Sequence, residues 1–383
     1  MKPLLITALL ASFIIACTVS VNKAQTGKLN IPAGTYEDTL RFLYSMPSDQ
    51  WPAPDIDSSV KWLELGLIPD SPLKPYMDSL KHLVLLGKTL FFDPRLSGSN
   101  QISCASCHVP DLSWTDGRAK SVGHDQKENK RNSPTLLNVW YYKHLFWDGR
   151  SKSLEDQAFS PINSETEMHS DMSEVMMKLR RIPGYKPLFD SAFHRGEISP
   201  ETVTSAIAAF QRTLISRKSD FDNFLSGRKE ALSDAALRGL HLFRTKARCM
   251  NCHNGPLFTD NDFHNIGLTY YQREYEDLGR YNVTHRAEDV GKFKTPSLRD
   301  VIRTRPWMHN GLFDNINGIL NMYSAGMAQP KPRPDQVSDT LFPKTDKILR
   351  KLDLSKKEKD DLIAFLNAIT AEPLHVRVPE MPG

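Results

Sequence analysis

Apolar residues recur at helical spacing in several separate stretches of the chain. Between Lys74 and Phe92 they fall at Leu80, Leu83, Val84, Leu86, Leu90 and Phe91, close to one face of a helix. Asp93-Pro94-Arg95 then ends that helix. The same spacing predicts helices over Leu154–Phe159, Asp171–Arg181 and Pro200–Ile215, the last with Val203, Ile207, Phe210 and Leu214 on one face. Ser233-Asp234 offers an N-cap for a helix running to Phe243. A final helix from Ser355 to Ile369 aligns Leu362, Phe365 and Leu366. Strand signals are sparse, so the predicted class is mainly α. Residues 109–135 are rich in Gly, Asp, Asn and Lys and read as a loop. Residues 218–232 are charged, contain Ser226-Gly227, and read as a linker between helical domains over 76–225 and 226–383.

The first residues follow another pattern. Lys2 precedes an uncharged apolar run from Leu4 to Ala16, too short for a comfortable membrane span and typical of an export signal over residues 1–16. The run ends Ile14-Ile15-Ala16-Cys17, which resembles a bacterial lipobox. The expectation is therefore a periplasmic protein anchored to the membrane through lipid on Cys17, the alternative being an ordinary signal with Cys17 discarded. Residues 18–35 read as a tether. Residues 36–75, Pro-rich and carrying Trp51 and Trp62, read as an irregular arm packed on a domain.

Composition narrows the function class. The 383 residues carry a net charge of +4 with acids and bases interspersed, too weak a bias to argue for nucleic acid. Hydrophobic content of 40% and charged content of 25% are ordinary for a globular protein.

The chemistry lies in two pentapeptides, Cys104-Ala105-Ser106-Cys107-His108 and Cys249-Met250-Asn251-Cys252-His253. Each has the Cys-x-x-Cys-His form that attaches c-type haem. Two thiols one helical turn apart can bond the two vinyl groups of one porphyrin, and the following histidine can ligate the iron. Zinc is the alternative, but paired zinc motifs usually lie about 15–20 residues apart, and Cys107 and Cys249 are 142 positions apart. A disulfide would leave each histidine unexplained. Four of the five cysteines are thereby committed to two covalent haems, and the fifth is Cys17.

An internal repeat joins the two motifs. Gly87-x-x-Leu90-Phe91 precedes the first, and Gly239-x-x-Leu242-Phe243 the second. Ser133-Pro134-Thr135-Leu136 answers to Thr295-Pro296-Ser297-Leu298, and Trp147-Asp148-Gly149 to His309-Asn310-Gly311 at the same separation. The pattern predicts two cytochrome c-like domains with one haem each.

Residues 75–370 resemble the bacterial di-haem cytochrome c peroxidase family, which includes MauG. The stretches that carry the resemblance are LGKTLFFDPRLSGSNQISCASCH (86–108), GHDQKENKRNSPTLLN (123–138), FWDGRSKSLEDQAFSPINSETEM (146–168), CMNCHNGPLF (249–258) and KTPSLRDVIRTRPWMHNGLF (294–313). The resemblance implies a peroxidatic haem on His108 and an electron-transfer haem on His253. It implies that Glu167 is a distal acid, that Gln157 orients peroxide or water, and that Trp147 relays electrons between the haems. It matches His124 to a residue that ligates the resting peroxidatic iron in many members. The family's distal ligand on the second haem lies 14 positions after His309, which here is Tyr323, as in MauG. Peroxidases proper carry Met there, and a one-residue loop difference would give Met322 instead. Asn132, Thr304 and Pro306 match positions that bind calcium between the domains.

The resemblance also implies the reaction: reduction of hydrogen peroxide with electrons from a small cytochrome c or cupredoxin, in a protein that is often a homodimer. A MauG-like oxidase that modifies a partner protein is the alternative, favoured by Tyr323, whereas His124 favours the peroxidase. A non-catalytic di-haem electron carrier is the third reading, opposed by Glu167 and Gln157, because a carrier needs no proton shuttle.

Overall fold

The computed structural model describes residues 34–383. The predicted signal, Cys17 and most of the tether lie outside the described residues.

The described residues open with helix α1 (Tyr36–Ser45) and continue through a mostly irregular stretch with two short 3₁₀ turns to α2 (Met77–Phe92) and the one-turn α3 (Cys104–Cys107). After a long loop come α4 (Leu154–Asn163), α5 (Met172–Arg181), α6 (Tyr185–Ala192) and α7 (Pro200–Gln211). Next are α8 (Asp220–Leu225), α9 (Asp234–Arg244), α10 (Tyr281–Thr284), α11 (Ile316–Ser324) and α12 (Lys356–Ala368). Two short strands, β1 (Phe263–His264) and β2 (Phe293–Lys294), pair antiparallel with Phe263 opposite Lys294. The mainly helical class predicted from the sequence is found.

Two helix pairs form the framework, and each crosses at a repeat glycine. α2 packs on α7, and a Cβ added at Gly87 would stand 1.8 Å from the carbonyl oxygen of Ala206. α9 packs on α12, and a Cβ at Gly239 would stand 2.0 Å from that of Asp361. The glycines let backbones touch, and this brings the next repeat residues together. Phe91 meets Phe210 edge-on at 5.3 Å, and Phe243 meets Phe365 in the same way at 5.3 Å. Each pair lies at the centre of its own hydrophobic core. Caps fix the helix starts: the side chain of Ser199 accepts from Thr202 N, with Pro200 in the first turn, and Ser355 and Glu358 cap each other's backbone.

Three sequence expectations are corrected. The stretch at 218–232 is no linker, because it contains α8, whose Phe221 and Phe224 are buried in the C-terminal core. The boundary therefore falls before α8 and not at 225/226. The arm at 36–75 is not wholly irregular: it opens with α1, capped by Thr35 and Asp38, which lays Leu40 and Tyr44 on α9. The C-terminal tail crosses back to the other half, where Gly184 N donates to Gly383 O and Arg95 donates to Pro382 O.

The halves are joined by counterparts of the repeat. Asn138 and Asp300, both left-handed with φ near 57° and 60°, meet through Ser216. Asn138 Nδ2 donates to Ser216 Oγ at 2.7 Å, and Ser216 Oγ donates to the Asp300 carboxylate. Arg131 is held between Asp148 (2.5 Å) and Asp277 (2.7 Å) from opposite halves.

The glycine crossings make a direct prediction. Gly87→Ala forces α2 off α7 and should destabilise the N-terminal half by about 1–3 kcal/mol, the usual cost of overpacking. Thermal unfolding followed by circular dichroism should show a lower midpoint. An unchanged midpoint would mean that the crossing tolerates a side chain.

Candidate functional site

One continuous cavity of about 1320 Å³ runs through both halves. It exceeds the few hundred to about 1,000 Å³ of ordinary small-molecule sites. Cys104, Cys107 and His108 line it from one side, and Cys249, Cys252 and His253 from the other. Apolar walls from Phe91, Ile207, Phe243 and Leu366 bring each helix-pair core to its rim.

The two motif histidines are set up alike. His108 Nδ1 donates to Trp114 O at 3.0 Å, and His253 Nδ1 donates to Phe258 O at 3.0 Å. A carbonyl only accepts, so the proton sits on Nδ1 and the Nε2 lone pair is left free. Burial lowers both imidazole pKa values, which keeps that lone pair unprotonated. This is the tautomer that an iron or zinc ligand needs. The four motif cysteines form no disulfide. Burial pushes the Cys104 and Cys249 thiols up to about 12 and Cys107 to about 11.

Among the described residues, one other group has metal-ligand spacing: Cys252, Asp260 and His264, with ligand atoms within 4.8 Å of one another. Both His264 nitrogens are already engaged, Nε2 with Asp260 at 2.9 Å and Nδ1 with Asp346 at 2.6 Å. The paired carboxylates raise its pKa to about 12 against the cost of burial. A doubly bonded imidazolium has no lone pair for a metal.

The predicted distal groups divide. Glu167 and Gln157 line the cavity, the latter from α4. Burial raises the Glu167 carboxyl above its ordinary value, partly opposed by Arg150. Glu167 is an electrostatic neighbour of both Cys104 and Cys107, so it faces the first motif. His124 does not line the cavity. It sits at the tip of a small loop behind Glu167, with its backbone N donating to Glu167 O at 2.9 Å. Gly123 permits this approach, since a Cβ there would lie 2.2 Å from Thr166 O. The His124 ring stacks on His169 at 4.5 Å, and its buried Nδ1 has no partner among the described residues.

On the second side, Tyr323 lines the cavity and its neighbour Met322 does not. Adjacent helix residues point about 100° apart, so α11 turns one inward and the other away. Burial pushes the Tyr323 phenol up, and the Cys252 and Cys249 sulfurs act in the same direction.

Between the halves, Trp147 Nε1 donates to Asn132 O at 2.9 Å, and the Trp147 ring lies 6.5 Å from that of His309, its repeat counterpart. Asn132, Thr304 and Pro306 all line this part of the cavity. The Asn132 amide nitrogen donates to Arg118 O at 2.9 Å, and its Oδ1 accepts no hydrogen bond among the described residues. Two further cavity residues here, Lys294 and His309, carry no role in the sequence reading, where His309 serves only as the repeat partner of Trp147 and as the reference point for Tyr323.

Comparison with known proteins agrees with this arrangement. Residues 81–230 match the family described as di-haem cytochrome c peroxidase. The chain is 38% identical over 319 residues to the methylamine utilization protein MauG of Methylophilus methylotrophus, covering 82% of this chain and 90% of that one. It is 38% identical over 353 residues to the cytochrome-c peroxidase IdrP1 of Denitromonas iodatirespirans, covering 84% and 91%. Among solved structures, a MauG-like protein associated with microbial copper homeostasis superposes with a TM-score of 0.69 at 30% identity, over 82% of this chain and 96% of that one. With two matched histidines facing one cavity and relatives that align over nearly their whole length, the chain belongs to the di-haem cytochrome c peroxidase family that includes MauG, and is an oxidoreductase of the peroxidase type.

Proposed function

We propose that the protein reduces hydrogen peroxide to water with electrons from a small redox protein, a cytochrome c or cupredoxin. In this reading each motif carries one c-type haem, held through Cys104 and Cys107 with His108 on one iron, and through Cys249 and Cys252 with His253 on the other. The observation that carries it is the shared cavity, lined at one end by a carboxyl and an amide and at the other by a phenol. Bound haem supplies the two-electron redox chemistry that side chains lack.

The chain's own residues supply protons and order. Glu167 moves a proton between the two oxygens of peroxide. Its water-poor surroundings raise its pKa, so the carboxylate that accepts the first proton is lost at a higher pH than in an ordinary glutamate. Peroxide cleavage should therefore slow as pH falls through a point above about 4.3. Gln157 orients the peroxide by hydrogen bonding. Trp147 stands between the halves as a relay. Calcium held by the oxygens of Asn132, Thr304 and Pro306 fits the free Asn132 Oδ1 and a hard cation's preference for oxygen. Export to the periplasm with a lipid on Cys17 rests on the apolar run at 4–16.

Glu167→Gln tests the shuttle. Haem spectra should stay near wild type while the rate constant with peroxide falls about 10²–10⁴-fold, the usual weight of general acid–base assistance. An unchanged rate constant would remove Glu167 from the chemistry.

A second reading, oxidation of a partner protein in the manner implied by MauG, is favoured by Tyr323. An anionic oxygen ligand should lower the potential of the second haem relative to a methionine sulfur. His124 lies off the cavity, so the first iron would be open without prior reduction. Redox titration of Met322→Leu and Tyr323→Phe separates the cases. Tyr323 ligation predicts a raised second-haem potential in Tyr323→Phe and none in Met322→Leu. A shift confined to Met322→Leu would return the protein to methionine ligation and ordinary peroxidase chemistry.

A further inference from the structure

The wall between the halves holds two polar side chains that these roles leave unused. Lys294, on β2, lines the cavity with its Nζ over the Tyr142 ring, 3.5 Å from the centroid. Among the described residues its Nζ makes no hydrogen bond or ion pair, and desolvation pulls its pKa down to about 7. His309 is 3% exposed, lines the same cavity, and among the described residues has no partner for Nε2. Phe293, the residue before Lys294, stacks on the His309 ring at 3.6 Å and 11°. Trp147 brings the two together on the cavity wall: Lys294 N donates to its carbonyl, and its ring lies 6.5 Å from that of His309.

A buried ammonium without an anion is strongly unfavourable, and contact with one aromatic ring offsets only part of that cost. The nearby carboxylates are already taken. Asp148 is bonded to Arg131 and Arg150, and Asp277 to Arg131. The missing anion must come with what fills the cavity. Haem brings carboxylates, its propionates, and little else that is charged at its edge.

We propose that Lys294 Nζ and His309 Nε2 form a donor pair that seats a haem propionate at the junction of the two halves. The proposal rests on the two-haem reading above. Both residues are fastened through their backbones to the opposite half: Lys294 N donates to Trp147 O at 2.8 Å, and Asn132 N donates to His309 O at 2.8 Å. Seating the propionate is thereby coupled to the pairing of the halves. The ammonium also offsets the propionate's negative charge, which otherwise favours the oxidised haem. Lys294 and His309 are positioning residues in this scheme, since they act on the haem edge and not on peroxide.

The test uses the full-length holoprotein. Iron content and covalent haem are measured first, and a wild type without them overturns the two-haem reading and this proposal with it. Lys294→Met and Lys294→Arg are then compared by redox titration and by the propionate bending mode in resonance Raman spectra. Lys294→Met should move the propionate mode and shift one haem's reduction equilibrium about tenfold toward the oxidised form, about 59 mV lower for a one-electron couple. Lys294→Arg, which keeps the charge, should stay near wild type. His309→Gln, which keeps a donor, should stay nearer wild type than His309→Phe in the same spectra. If Lys294→Met does not mature, Lys294→Gln is read in the same way. A neutral variant with full haem content, unmoved potentials and an unmoved propionate mode would overturn the proposal and leave Lys294 as a packing cation on Tyr142.

Discussion

One hydrogen bond, made twice, sets the terms for the rest of the structure. The Nδ1 of His108 and of His253 each donates to a backbone carbonyl a few residues on, at 3.0 Å. Each bond fixes a tautomer and aims the other ring nitrogen where it can ligate. A ligand fixed in this way needs a rigid backing. In each half the backing is a pair of helices pressed together at a glycine, with an edge-on phenylalanine pair beside it. Losing either the carbonyl or the crossing would let the histidine turn.

The duplication of this unit explains why a single cavity can have two different ends. Sites that match in the repeat carry unlike residues: Trp147 and His309, Asn138 and Asp300, Asn132 and Lys294. The framework positions are kept alike, and the junction positions are not. Asn138 and Asp300 show how this works physically. Both adopt the same left-handed backbone, yet one presents an amide and the other a buried carboxyl that accepts from Ser216 and from Ala371 N. Burial raises the Asp300 pKa, and those two hydrogen bonds pull it the other way. The asymmetry gives the halves complementary faces, so that they pair with each other across the cavity.

Much of this was legible in the sequence, because the relevant signals are local. The motif spacing, the helix caps and the apolar period near Leu90 and Phe365 each need only a few neighbouring residues. The repeat marks Gly87 and Gly239 as equivalent positions, but only the fold shows them to be helix crossings. What stayed hidden depended on distant partners. The charges at 218–232 outweighed Phe221 and Phe224 in a compositional reading, although those two rings bury in the C-terminal core. Helix α1 escaped notice because its apolar face is short and its partner, α9, lies about 190 residues away. Lys294 reads as an ordinary lysine until its burial is seen, with the neighbouring Asp148 already paired to Arg131 and Arg150. Periodicity could not decide between Met322 and Tyr323, whereas the direction of α11 distinguishes which of them reaches the cavity.

The proposed function depends on the two haem stations sharing one cavity and acting as one redox unit. Electron paramagnetic resonance of the fully oxidised protein, titrated with hydrogen peroxide, tests it most directly. The account predicts two distinct ferric signals that decline together and are lost at one equivalent of peroxide, since a two-electron oxidant is shared between two irons. Loss of a single ferric signal, with the other unaffected throughout the titration, would contradict it.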